Sequence, residues 1–272
     1  MIIKIEEKDE VLVANERHWD RMVREGCGYT IPWLDLDADM IRRYAQGRSD
    51  VVPTPLDVMT PRSILTDVEG KDVLCLASGG GQQSAVFGLL GSRVTVVDLS
   101  RGQLDGDRKA AAQYGYDITL IQSDMRDLSN LDNDSFDMVY GTATCYIPYV
   151  QQVYSETARV LRQGGILRMD FCQPAVHFVT WDRDGYRVTK PYSERIDRRE
   201  DGAIEFRHYM DDIFNGLIDV GLSIRQVVDL SRNTKPDARS LPGSWDHEEP
   251  YIGGRFVILA KKDNGKNAPG CP

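Results

Sequence analysis

Between residues 73 and 171 the chain repeats one pattern, a short β-branched or aliphatic run followed by a helical stretch and then another such run. Strand patterns fall at 73–77, 93–97, 118–122, 136–140 and 165–171, and helical ones at 82–90, 101–114 and 150–161. A strand buried on both faces has no polar side to alternate with, so continuous apolar runs separated by helices specify a parallel sheet covered above and below. A doubly wound α/β core is therefore expected. Two later runs, 223–229 and 255–261, are joined by a long polar connection without a convincing helical pattern. They are expected to pair antiparallel, the second slipping between neighbours or onto an edge.

The first strand run ends in Ala77-Ser78-Gly79-Gly80-Gly81, and a helical pattern follows at once. Glycines at such a turn let the backbone pass close to a ligand, and the next helix aims its free N–H groups at the same spot. This turn is expected to hold a cofactor. The second run ends in Val96-Val97-Asp98-Leu99-Ser100. An acid roughly twenty residues beyond the glycines can accept hydrogen bonds from both hydroxyls of a ribose. Asp98 also reads as a cap for the helix starting near Arg101, a role that Ser100 can fill instead. The dinucleotide pattern Gly-x-Gly-x-x-Gly is matched poorly, because Ser84 stands at its third glycine. The turn alone still admits a pyrophosphate, and an NAD(P)-dependent oxidoreductase is one rival reading.

A formal charge of −9 argues against a surface built to neutralise phosphates, so nucleic acid is a poor first guess as substrate. No apolar run approaches membrane-spanning length, and a soluble, cytoplasmic protein without a membrane partner is expected. Five cysteines (27, 75, 145, 172 and 271) and four histidines (18, 177, 208 and 247) are irregularly spaced. Neither a disulfide framework nor a metal site is expected, and a metal site would have to be assembled entirely by the fold.

Five pieces occur in a fixed order: residues 73–83, the strand end at Asp98, Gln122-Ser123-Asp124-Met125-Arg126-Asp127-Leu128, Phe136-Asp137-Met138-Val139-Tyr140, and residues 159–167 around Gly164-Gly165. Together they resemble the class I S-adenosylmethionine-dependent methyltransferases, particularly the small-molecule, ubiquinone/menaquinone-like branch called type 11. The resemblance covers residues 71–171 and extends to 211–262. It implies a Rossmann-like seven-stranded sheet whose last strand is antiparallel, S-adenosylmethionine as cofactor, and a small-molecule methyl acceptor. By that resemblance Ala77, Ser78, Gly79, Gly80 and Gly81 pass beside the methionine part and ribose. Asp98 holds the ribose hydroxyls, Leu99 and Gln103 border the adenine, Asp124 accepts its amine as a free carboxylate, and Met125 packs on the ring. Thr142 lies near the methyl group.

The sequence departs from that family at Cys75, where an acid is usual, and at Ala77, where a glycine is usual. The strand after Tyr140 runs on as Gly141-Thr142-Ala143-Thr144, without the Asn/Asp-Pro-Pro-aromatic motif of enzymes that methylate bases or glutamine. Methyl transfer needs the acceptor positioned and, for an O–H or acidic C–H, a proton removed. No fixed catalytic motif is present; His18, Tyr146 and His177 are candidate bases, and Cys145 reads as a buried inert thiol. The aromatic residues Trp19, Tyr29, Pro32 and Trp33 either close over the cofactor or pin N-terminal helices to the core. Residues 242–247 form a lid edge or a packed surface loop, and the charges at 195–199 read as solvated. The expected organisation is an N-terminal helical lid or extension at 1–55, the methyltransferase core at 56–263 with a lid insertion at 172–208 after the fifth strand, and a flexible tail at 264–272. A protein that binds S-adenosylmethionine without transferring its methyl group is the second rival.

Overall fold

A computed structural model describes residues 10–263; the expected tail and the first nine residues lie outside this range. The chain opens with α1 (Glu10–Glu25) and α2 (Ala38–Ala45), then passes through two short 3-10 turns into the α/β core. The core runs β1 (Asp72–Leu76), α3 (Gln83–Leu89), β2 (Arg93–Asp98), α4 (Arg101–Tyr114), β3 (Ile118–Gln122), β4 (Phe136–Gly141), α5 (Val150–Val160) and β5 (Leu161–Cys172). Two hairpins follow, β6 (Val179–Asp182) with β7 (Gly185–Val188) and β8 (Ile196–Arg198) with β9 (Ile204–Phe206). The chain then adds α6 (Met210–Asp219), β10 (Leu222–Asp229), α7 (Trp245–Ile252) and β11 (Arg255–Lys262).

Seven strands form one sheet in the order β10-β11-β5-β4-β1-β2-β3. β1 to β5 pair in parallel, while β11 is antiparallel to both β5 and β10. This is the expected architecture, and of the two placements open for the last strand the interior one is realised. β5 begins earlier than the sequence pattern suggests, because Gly164 at φ +78° lets the turn after α5 continue straight into the ladder. α7 was not expected. Its sequence carries Pro250 and no apolar stripe, and it is held at its start by Ser244, whose hydroxyl accepts from the His247 N–H at 3.4 Å.

Alternation along β1 divides the core. Leu74 and Leu76 face a cluster with Val153 of α5 and Ile213 of α6, and Val73 and Cys75 face one with Phe87 of α3 and Ile41 of α2. Each fully buried aliphatic side chain contributes about 1.5–3 kcal/mol, so burial on both faces fixes the strand register. The order of strands reverses between β1 and β4, and a parallel sheet opens a crevice beyond its carboxyl ends at such a point. No helix among the described residues is long and apolar enough to cross a membrane.

Candidate active site

A cavity of about 610 Å³ occupies that crevice, running from the ends of β2 and β3 across β1 and β4 to β5 and the hairpins beyond it. At the first end lie Ala77, Ser78 and Gly79 after β1, Asp98 and Leu99 after β2, and Asp124 and Met125 after β3. Gln103 of α4, Thr142 after β4, and Trp19 and Trp33 of the N-terminal segment complete it. Gly80 and Gly81 do not line it. A Cβ on Gly80 would stand 2.8 Å from the Thr30 carbonyl oxygen and one on Gly81 2.4 Å from that of Gly106, so these glycines admit neighbouring backbone instead.

The turn is clamped from two sides. Asp107 of α4 accepts from the Gly81 N–H at 2.8 Å and from the Ser84 hydroxyl. Gln82 donates to the carbonyls of Gly28 and Ile31, both at 2.9 Å, and the Trp33 N–H reaches the Gly81 carbonyl at 3.2 Å. The aromatic loop is thus stitched onto the glycine turn and also walls the cavity. Asp107 and Gln82 were missed from sequence; the readable signal was Gly102 and Gly106 one helical turn apart in α4, the first packed on the Val23 side chain and the second on the Gly80 backbone.

Asp98 is 7% exposed and accepts from the Ser100 N–H at 2.9 Å. Burial pushes its carboxyl up to about 7, with the nearby acids Asp107 and Asp20 adding to the effect and backbone donors opposing it. Ser100 fills the capping role expected of it, accepting from the Gln103 N–H at 3.2 Å. Asp124 is not free: Arg126 donates to its Oδ2 through Nε at 2.9 Å and its own N–H reaches Oδ1 at 2.8 Å. Arg126 Nη2 also donates to Oδ2 at 2.5 Å, so only Oδ1 keeps a second lone pair. Cys75 is fully buried in the core behind the sheet, where burial raises its thiol far above the ordinary range.

The other end of the cavity is polar and charged. Tyr146 and Cys145 follow β4, Cys172 ends β5, and His177, Arg199, Asp201 and Glu205 come from the segment holding the two hairpins. Trp245 and Glu248 of α7 and Arg255 of β11 close it. Arg199 keeps a half-exposed side chain, as expected of the solvated 195–199 run, and Asp197, 15% exposed, is the residue that departs from it. His18 lies outside, its ring beside Asp201 at 3.7 Å and packed on Trp19. Burial drives the Tyr146 phenol well above its ordinary range, and Cys145, beside Cys172, is likewise raised. Cys172 is lowered by Cys145 and by His177. Asn15 of α1, another residue the sequence did not reveal, ties the turn after β4 to β9: its amide donates to the Tyr146 and Ile204 carbonyls at 3.2 and 3.1 Å. The fold also gathers His177, Asp197 and Glu205, a group of possible metal ligands that sequence spacing did not anticipate.

Residues 74–169 match the family described as a methyltransferase domain. Over 229 residues the chain is 33% identical to the uncharacterized methyltransferase YbaJ of Bacillus subtilis, covering 78% of this chain and 88% of that one. The chain belongs to the class I S-adenosylmethionine-dependent methyltransferases. Methyltransferase GfsG of Streptomyces halstedii is 27% identical over 198 residues, 71% of this methyltransferase and 67% of the relative. Among solved structures, an S-adenosylmethionine-dependent methyltransferase from Mesorhizobium loti shares the fold with a TM-score of 0.61 at 22% identity, over 84% of this chain and all of that one. The methyltransferase has buried, unpaired polar atoms on the cavity wall. The Ser78 hydroxyl, Gln103 Oε1 and Gln83 Oε1 have no hydrogen-bond partner, and all three residues line the cavity. Orphaned polar atoms of this kind cost stability unless a ligand pairs them, so the first end suits a polar cofactor such as S-adenosylmethionine.

Proposed function

We propose that the enzyme methylates a small, polar organic acceptor, with the cofactor at the Asp98 end of the cavity and the acceptor at the His177 end. The supporting observation is a single cavity with orphaned polar atoms at both ends, Ser78 and Gln103 at one and His177 and Glu248 at the other. In this reading Asp98 accepts from the ribose hydroxyls, Leu99, Gln103, Asp124 and Met125 hold the adenine, and Ala77, Ser78, Gly79 and Thr142 face the methionine part. Residues 56–263 form the core, and the described part of the N-terminal segment, residues 10–55, and the 172–208 insertion roof it. The net charge of −9 and the small cavity favour a small molecule over nucleic acid, and a cytoplasmic location fits the same reading.

Bound S-adenosylmethionine supplies a methyl group on a sulfonium whose departure as a neutral thioether makes the displacement favourable. The chain's share is to place the acceptor in line, keep water away and receive any acceptor proton. Trp19 and Tyr146, edge-on at 5.4 Å, wall the middle of the cavity with apolar surface. Tyr146 stays protonated and His18 lies outside, so acceptor ionisation falls to the polar end around His177 and Glu205. Calorimetric titration with S-adenosylhomocysteine tests the cofactor half: binding is expected in the wild type and lost in Asp98→Ala with the circular dichroism spectrum retained. Unchanged affinity in that variant removes Asp98 from the site. S-adenosylhomocysteine release across a panel of hydroxyl, amine and thiol acceptors tests turnover; binding with no release for any acceptor favours a non-catalytic binder.

A further inference from the structure

The polar end carries a donor set assembled from three separate places in the chain. His177 closes the 3-10 turn after β5, and Asp197 and Glu205 are the central residues of β8 and β9. One ligand atom from each lies within 4.8 Å of the others. Asp197 and Glu205 are paired directly across the hairpin, with side chains only 15% and 16% exposed. Like charges directly opposite one another destabilise a strand pair, more so when half-buried, so this arrangement needs a cation between them. The protein supplies two, Lys190 and Arg199, but neither lies within hydrogen-bond distance of both acids. Lys190 reaches Asp197 at 2.5 Å, and Arg199 stands 3.8 Å from each carboxylate, beyond hydrogen-bond distance.

His177 is the independent sign of a missing ligand. It is 5% exposed, neither ring nitrogen has a hydrogen-bond partner, and its Nδ1 is 3.8 Å from Glu205 Oε2. From α7, Glu248 turns a second unpaired buried oxygen into the same cavity, close enough to interact with His177 and Arg199.

We propose that His177, Asp197 and Glu205 bind a divalent transition-metal cation in the acceptor half of the cavity, with Glu248 facing its open side. Ligands about 2.1 Å from one ion stand about 3 Å apart, so the 3.8 Å between His177 and Glu205 closes with a shift of under about 1 Å, and a pair at the 4.8 Å limit with about 2 Å of side-chain movement. One imidazole with carboxylates suits Mn²⁺, Fe²⁺ or Zn²⁺ better than Mg²⁺ or Ca²⁺, which favour all-oxygen shells. The role of the ion rests on the methyltransferase reading: facing the acceptor, it would hold an acceptor oxygen and favour its ionised form.

The test is Mn²⁺ titrated alone into the full chain, followed by loss of the free-ion electron paramagnetic resonance signal. One ion per chain is expected, weakened about tenfold or more in His177→Ala and in Glu205→Gln. Lys190→Ala, which removes a cation competing for Asp197, is expected to tighten binding, an effect that a purely structural role for the cluster does not produce. No binding up to millimolar Mn²⁺, or wild-type affinity in both ligand variants, overturns the site. If those variants fail to fold, the wild-type histidine NMR signals decide: Mn²⁺ must broaden His177 selectively, and failure to do so overturns the site. Parallel calorimetry with S-adenosylhomocysteine keeps the two readings apart. Cofactor binding without Mn²⁺ binding sinks this proposal alone, and Mn²⁺ binding without cofactor binding sinks the other.

Discussion

Ala77 adopts φ +46° and Ala143 φ +59°, two alanines in left-handed conformations that both line the cavity. A non-glycine residue pays roughly 1–2 kcal/mol for this backbone, and such strain gathers at functional sites. Ala77→Gly is therefore expected to raise stability by about 1 kcal/mol in urea unfolding while leaving S-adenosylhomocysteine affinity within about twofold. A lowered midpoint would contradict the strain. At this scale the sequence was informative about residue type and uninformative about partners. Asp98 stands where its position after β2 suggests, because a strand end in a parallel sheet leaves little choice of direction. Arg126 on Asp124 was hidden, since a side-chain pairing two residues away depends on the turn geometry. Cys75 stands where the family usually has an acid, and β1 alternation sends it into the core beside Phe87 and Ile41, so its identity bears on packing.

At the scale of elements, the glycine turn owes its shape to α4 and the N-terminal loop as much as to its own residues. Asp107→Ala leaves the Gly81 N–H and the Ser84 hydroxyl without their shared acceptor, and each buried orphan costs about 1–3 kcal/mol. Loss of stability in that range is expected in chemical denaturation, together with weaker S-adenosylhomocysteine binding by calorimetry. Unaltered values for both would mean that the turn holds itself. The long periodic helices and buried strands were legible, α4 to the residue, because their apolar pattern comes from the sheet they cover. β8 and α7 were not, being short, polar and held by contacts from distant parts of the chain. They carry Asp197 and Glu248, which the sequence did not single out, near His177, which it did.

For the whole molecule, the buried acids set the dependence of stability on pH. Asp98 is pushed up to about 7 and Asp107 to about 6, both chiefly by burial. The native state therefore holds protons that the unfolded chain releases near pH 4, and their stabilising effect is lost as pH rises through 6 and 7. Glu248, pushed up to about 7, and Glu205, also raised, act in the same direction, both chiefly through burial. His208, lowered by burial, and Cys172, lowered by Cys145 and His177, oppose them, two groups against four carboxyls. Cofactor-free protein is expected to melt several degrees higher at pH 5 than at pH 7.5 by calorimetry. Saturating S-adenosylhomocysteine should narrow the gap, because hydroxyl donors to Asp98 favour its ionised form. The reverse order of melting temperatures would show that neither acid titrates as its surroundings dictate.

β11 is the last strand of the sheet along the chain, yet it lies inside it, between β5 and β10. During synthesis, then, β10 emerges with no neighbour to join, and five parallel strands wait with an unpaired edge at β5. Only when the final strand leaves the ribosome can the two parts close, so a nascent chain stalled shortly before it would present two open edges to chaperones and proteases alike.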